Sequence, residues 1–197
     1  MIPRHLQIAF GLLVLAVFVS AAYVMALHSG ESHRATYRAD GHTMSVPSNT
    51  PAEPVTLCVA YDDEGVLIRR SASAALPTEP GGRARELLRA LFAVYLDKPS
   101  PHPIGEGSDV NEVFVINNSL AVVDLNAAFA RGHRSGVWEE ALTVDSIVAT
   151  LAANMHGLAQ VKILIDGQER DTLAGHADLM TVYRPADVNQ LVQIRMR

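Results

Sequence analysis

The sequence predicts an α+β fold: one small mixed sheet with about two helices packed on it, preceded by one transmembrane helix. Three observations carry this. Two stretches repeat apolar residues at helical spacing, about five short β-rich runs are interleaved with them, and residues 6–27 form an apolar run without a charge. At 197 residues the chain has room for one domain plus appendages, and 49% apolar with 19% charged residues is the composition of a folding chain. The formal net charge of −5 and the absence of any basic cluster exclude nucleic acid as the main partner. A single cysteine, Cys58, excludes an intrachain disulfide and a cysteine-based metal framework.

Residues 1–5 are expected on the cytoplasmic side, and residues 6–27 (LQIAFGLLVLAVFVSAAYVMAL) as a signal anchor. At about 1.5 Å per residue this run spans a hydrocarbon core of roughly 30 Å, and only a helix satisfies its backbone there. A cleaved signal peptide usually has a shorter apolar region, which favours the anchor. Arg4 and the free amine before the run favour an inside N-terminus, which places the rest of the chain on the extracytoplasmic, periplasmic side as a single-pass protein of the cell membrane. Residues 28–54 hold Ser, Gly, Thr, Pro and the histidines His28, His33 and His42 without an apolar period, and read as a flexible linker.

The domain is expected over 55–185, with 186–197 as a C-terminal tail. Residues 55–61 (VTLCVAY) form a strand that buries Cys58, the acidic turn Asp62-Asp63-Glu64-Gly65 is solvated, and residues 66–70 return as the second arm of a hairpin. Ala84, Leu87, Leu88, Leu91, Phe92 and Tyr95 make one helical stripe that must stop before Pro99. Residues 99–108 are an exposed loop. Strands over 110–116 and 120–125 meet at Asn117-Asn118-Ser119, a tight hairpin turn, and apolar residues on both faces of AVVDL make the second one central. Val144, Ile147, Val148, Leu151, Ala152 and Met155 repeat the helical stripe, with Thr143 expected as N-cap and Gly157 as the stop. A strand over 161–165 runs into the turn pair Asp166-Gly167, and residues 171–183 (including TLAGHADL and MTVY) close the domain.

LAVVDLNAAF (120–129), Ser135-Gly136, LTVDSIVATL (142–151) and VKILIDGQERDTLAGHADL (161–179) together resemble the GerMN domain, the family named for sporulation and spore germination proteins. The resemblance runs from about Val55 to Tyr183. It implies an extracytoplasmic interaction module on a membrane anchor, acting in envelope assembly, and brings no catalytic residues with it. The sporulation protein of that family carries two such domains behind a lipid anchor; this chain has one behind an apolar helix.

Chemistry finds little support in the spacing. There is no G-x-S-x-G, phosphate loop or H-E-x-x-H motif, so no enzyme, cofactor or metal is expected. The polar residues Asp124, His133, Glu139, Glu140, Asp166, His176 and Asp178 are read as structural, with Asp166 building a turn, Asp124 and Asn126 shaping a strand exit, and His176 bonding backbone within its loop. The candidate interaction residues are Asp124, Trp138, Asp166, Gly167, Thr172, Gly175, His176 and Asp178. Trp138, the only tryptophan, is an interface anchor if exposed and a lid over the second helix if buried. Three readings follow: a docking module for an envelope protein or for copies of itself; a peptidoglycan or glycan binder using Trp138 or Tyr183; and a hydrolase needing two of Asp124, Glu140, Asp178 and His176 together in a cleft with perturbed proton affinities.

Overall fold

A computed structural model describes residues 51–191 and 195–196. The expected anchor and most of the linker lie outside the described residues. Among the described residues no helix is long and apolar enough to cross a membrane.

Among the described residues, two three-stranded sheets replace the single mixed sheet that the sequence predicts. In the first, β1 (Ala52–Tyr61) and β2 (Val66–Ala75) form an antiparallel hairpin over ten residue pairs, and the two-residue β6 (Arg195–Met196) adds parallel to β2. The hairpin is longer than expected at its open end: β1 starts inside the stretch read as linker, and β2 continues to Ala75. The signal was weak because residues 71–75 (SASAA) are small and only part-apolar, so they pair through backbone rather than side chains. In the second sheet β3 (Val110–Ile116), β4 (Leu120–Leu125) and β5 (Gln160–Ile165) stand in that order, antiparallel then parallel, with a bulge between Val110 and Glu112. Central position of β4 agrees with expectation. Asn117 and Asn118 take φ of 51° and 55°, the left-handed pair that a two-residue hairpin turn requires.

Among the described residues there are four helices instead of about two. The long ones are α1 (Pro80–Leu96) and α3 (Val137–Asn154); the short ones are α2 (Ala127–Gly132) and α4 (Pro185–Leu191). Helix α4 and strand β6 occupy the segment expected to be a tail. The six stripe residues of α1 are all buried, as are Val144, Ile147, Val148 and Leu151 of α3, and together with Leu57, Val59, Val123 and Ile163 they form one core. Burying each such side chain is worth about 1.5–3 kcal/mol.

Helix α3 starts at Val137, six residues before the expected cap at Thr143. Thr143 lies inside the helix, where its hydroxyl donates to the Glu139 carbonyl one turn back at 2.9 Å. The overlooked start signal is Glu139-Glu140, two acids in a first turn whose free N–H groups favour negative charge. Helix α2 also has a cap in the sequence: the Asn126 side chain accepts from Phe129 N at 3.0 Å.

The free edge of β1 is sealed by side chains. Every second N–H, at Thr56, Cys58 and Ala60, donates at 2.9 Å to Asn154 Oδ1, Thr150 Oγ1 and the Tyr95 hydroxyl. Cys58 is buried as expected, and burial pushes its thiol up.

Candidate functional site

The first two turns of α3 gather the loops that surround them. Glu140 is fully buried, a position an ionised carboxylate holds only when its lone pairs are satisfied. Its Oε2 accepts from Ala174 N at 2.9 Å and from His176 N and Ala177 N at 3.0 Å. Its Oε1 takes the His176 ring Nδ1–H at 3.0 Å and Gly136 N at 3.3 Å. Burial by itself raises this carboxyl; the N–H groups of Ala177, Ala174 and His176, with the His176 ring, outweigh it and hold the pKa at about 2. One side chain of α3 thereby pins the whole AGHA loop. Gly175 has φ of 128° and lies so close to Ser135 that an added Cβ would sit 3.4 Å from its Oγ.

Beside that anchor runs a chain of buried polar groups. His102, 1% exposed, comes from the α1–β3 loop, and His133, 8% exposed, is the C-cap of α2. Both Nε2 atoms meet Thr143 Oγ1, at 2.5 and 2.6 Å. His102 Nδ1 contacts Asp62 Oδ1, and His133 Nδ1 lies 2.7 Å from the Arg134 carbonyl. Asp62 therefore belongs to this cluster and is not a wholly solvated turn residue; its Oδ2 also accepts from Arg134 at 2.7 Å. Burial pushes both imidazoles down, the Asp62 carboxylate pulling His102 the other way. The loops reach this point because Gly105 and Gly132 cross at backbone contact: a Cβ on Gly105 would lie 2.5 Å from Gly132 Cα.

The structure brings some predicted residues together and separates others. Glu140 and His176 touch. Asp124 and Asp166 form a different cluster at the end of the second sheet, where Asp124 Oδ1 accepts from Gly167 N at 2.7 Å and Asp166 Oδ1 from Ala127 N at 2.9 Å. Asp166 and Gly167 take φ of 49° and 70°, as the expected turn requires. Thr172 and Asp178 are bridge partners, and Asp178 Oδ1 accepts from Met180 N at 2.8 Å. No hydrogen bond or ion pair joins Asp124 or Asp178 to Glu140 or His176 among the described residues. A cavity of about 300 Å³, lined by Pro80, Arg83, Val115, Asn118, Asn154 and His156 among others, contains none of the predicted site residues. Among the described residues no group of three acidic, histidine or cysteine side chains is placed to hold a metal.

Trp138 is exposed, at 71%, next to Val137 at 63%. Both stand at the start of α3, directly after the loop held by His133 and Glu140. Sequence reasoning missed His102, Asp62 and Thr143. A histidine inside a Pro-rich loop carries no periodic mark of burial.

These features define a small α+β module in which loops from separate parts of the chain are assembled on one helix start, with an exposed apolar tip. The chain belongs to the family described as Germane, sporulation and spore germination, whose model matches residues 56–171. No curated protein matches it. Among solved structures, it is similar to the first GerMN domain of the sporulation protein GerM from Bacillus subtilis, at 18% identity, covering 66% of this chain and 94% of that one, TM-score 0.46. The tandem GerMN domains of the same protein match at 16% identity and TM-score 0.50, covering 69% of this chain and 47% of that one.

Proposed function

We propose that this chain is a membrane-tethered interaction module on the extracytoplasmic side of the cell envelope, non-catalytic, which docks an envelope protein or further copies of itself. The observation that carries this is the exposed Val137–Trp138 tip. A tryptophan at 71% exposure supplies large contact area with few rotamers to lose, and the Glu140 carboxylate behind it is held by four backbone N–H groups. The fit to hydrolysis is poor. Of the carboxylates considered, Glu140 meets a histidine, yet its oxygens are occupied by four backbone N–H groups and closed to solvent.

Crosslinking of the full-length chain in its own membranes, followed by affinity recovery, tests the proposal. A reproducible adduct that Trp138→Ala abolishes supports it. Recovery of uncrosslinked monomer alone, or an unchanged adduct in the variant, refutes docking through this tip. Sedimentation of the wild-type protein with isolated cell wall, lost in the same variant, would replace a protein partner with a glycan stacked on Trp138.

A further inference from the structure

Four contacts form a continuous line through the buried cluster: Asp62 Oδ1 to His102 Nδ1, His102 Nε2 to Thr143 Oγ1, Thr143 Oγ1 to His133 Nε2, and His133 Nδ1 to the Arg134 carbonyl. Each needs one proton between its two heavy atoms. A neutral imidazole brings one N–H, and the threonine hydroxyl brings one O–H. An ionised Asp62 and a backbone carbonyl bring none. The line therefore has four contacts and three protons, and the Glu139 carbonyl, 2.9 Å from Thr143 Oγ1, competes for one of the three. Whichever way the three are oriented, one pair of lone pairs faces each other inside the protein, an arrangement that buried polar groups avoid.

One added proton completes the line once the Thr143 hydroxyl turns from the Glu139 carbonyl into it. With His102 as imidazolium, its Nδ1–H donates to Asp62 and its Nε2–H to Thr143; the Thr143 hydroxyl turns to His133 Nε2; and His133 Nδ1–H donates to the Arg134 carbonyl. With the charge on His133 the middle links reverse and all four contacts are again made. A second proton meets resistance, because it puts two cations in rings whose centroids are 6.1 Å apart, beside the Arg134 guanidinium. The other groups facing the pair are few. The Tyr95 ring packs edge-on against His102 at 4.8 Å, Phe129 stacks on His133 at 6.1 Å, Glu139 lies 3.6 Å from Arg134, and the Glu140 carboxylate is already saturated by the AGHA loop.

We propose that Asp62, His102, Thr143 and His133 form a single-proton switch that closes as pH falls, tying the β1–β2 turn, the α1–β3 loop and the α2–α3 loop to α3. All four contacts are at hydrogen-bonding distance, as the closed arrangement requires. Loss of that proton leaves one link repulsive, so a loop must swing away or admit water. The loop that ends in Gly136 leads straight into Val137 and Trp138, which places the exposed tip downstream of the switch. This inference stands apart from the docking proposal, since its test reads ring protonation without any partner.

The test is a pH titration of the purified full-length chain carrying ¹³C-labelled histidine, followed by NMR from about pH 8 to about pH 5. His102→Gln and His133→Gln assign the two rings. In the wild type the two ring signals share one midpoint and together take up one proton. Thr143→Val removes the hydroxyl at nearly constant volume and should split the midpoint into two separated by a unit or more. Thr143→Ser should restore the single midpoint. Two independent midpoints in the wild type, two full protons taken up, or no titration of either ring overturns the proposal, and each is read from the wild type whether or not a variant folds. An unchanged common midpoint in Thr143→Val also overturns it.

Discussion

Replacing Glu140 by Gln keeps the shape of the side chain and removes its charge. Gln can place its oxygen where Oε2 receives Ala174, His176 and Ala177, but its NH₂ then faces the Gly136 N–H that Oε1 accepts. The wild-type carboxyl is held at about 2 against an ordinary value near 4.3. A lowering of that size corresponds to about 3 kcal/mol of stability at neutral pH, to order of magnitude. Since the folded carboxyl sits below its unfolded value, this stability is fully present above about pH 4.5 and is lost as pH falls toward about 2. Glu140→Gln should therefore destabilise the protein by about 2–3 kcal/mol at pH 7, seen as a melting temperature lower by roughly 5–10 °C. Denaturant unfolding of both forms at pH 7 and at decreasing pH is the assay, and the difference should narrow below about pH 4.5. A difference under about 0.5 kcal/mol at pH 7, or one that stays constant into acid, would show that the loop does not depend on this charge.

Asp145, half-buried, has its carboxyl raised to about 6 by burial, so its charged form costs stability above that pH and the cost vanishes as pH falls toward 4. Asp145→Asn should accordingly stabilise the protein at pH 7 by about 1–2 kcal/mol, discounted for the solvent that reaches it, and confer no gain near pH 4 in the same unfolding assay. Gly105→Ala puts a methyl 2.5 Å from the Gly132 backbone and should cost about 2–3 kcal/mol or prevent folding, measured as lost soluble yield and a lower melting temperature. Trp138→Ala should change stability by under about 0.5 kcal/mol, while tryptophan emission disappears with the only tryptophan and tyrosine emission remains.

What the sequence announced and what it concealed divide along a physical line. Periodicity identified both long helices because Leu87, Leu91, Ile147 and Leu151 face one core, and Asn117-Asn118 identified the turn because few residues adopt left-handed geometry without strain. The sequence understates the first sheet because the alternation over Ser71 to Ala75 rests on alanines alone, and it points to a cap at Thr143 because a threonine before an apolar stripe has the local signature of a helix start. Its actual task, holding two histidines from positions 41 and 10 residues away, is a long-range contact without a local mark. Asp166 and Gly167 were legible as a turn; that Glu140 would be the acceptor for the AGHA loop, 34 to 37 residues ahead, was not.

The sealed edge of β1 limits how such domains can multiply. With Asn154, Thr150 and Tyr95 occupying the N–H groups of Thr56, Cys58 and Ala60, a strand from a neighbouring molecule finds no ladder to extend there. Along this edge a second copy could meet the domain only through side-chain surfaces, which can be altered residue by residue while the fold stays constant.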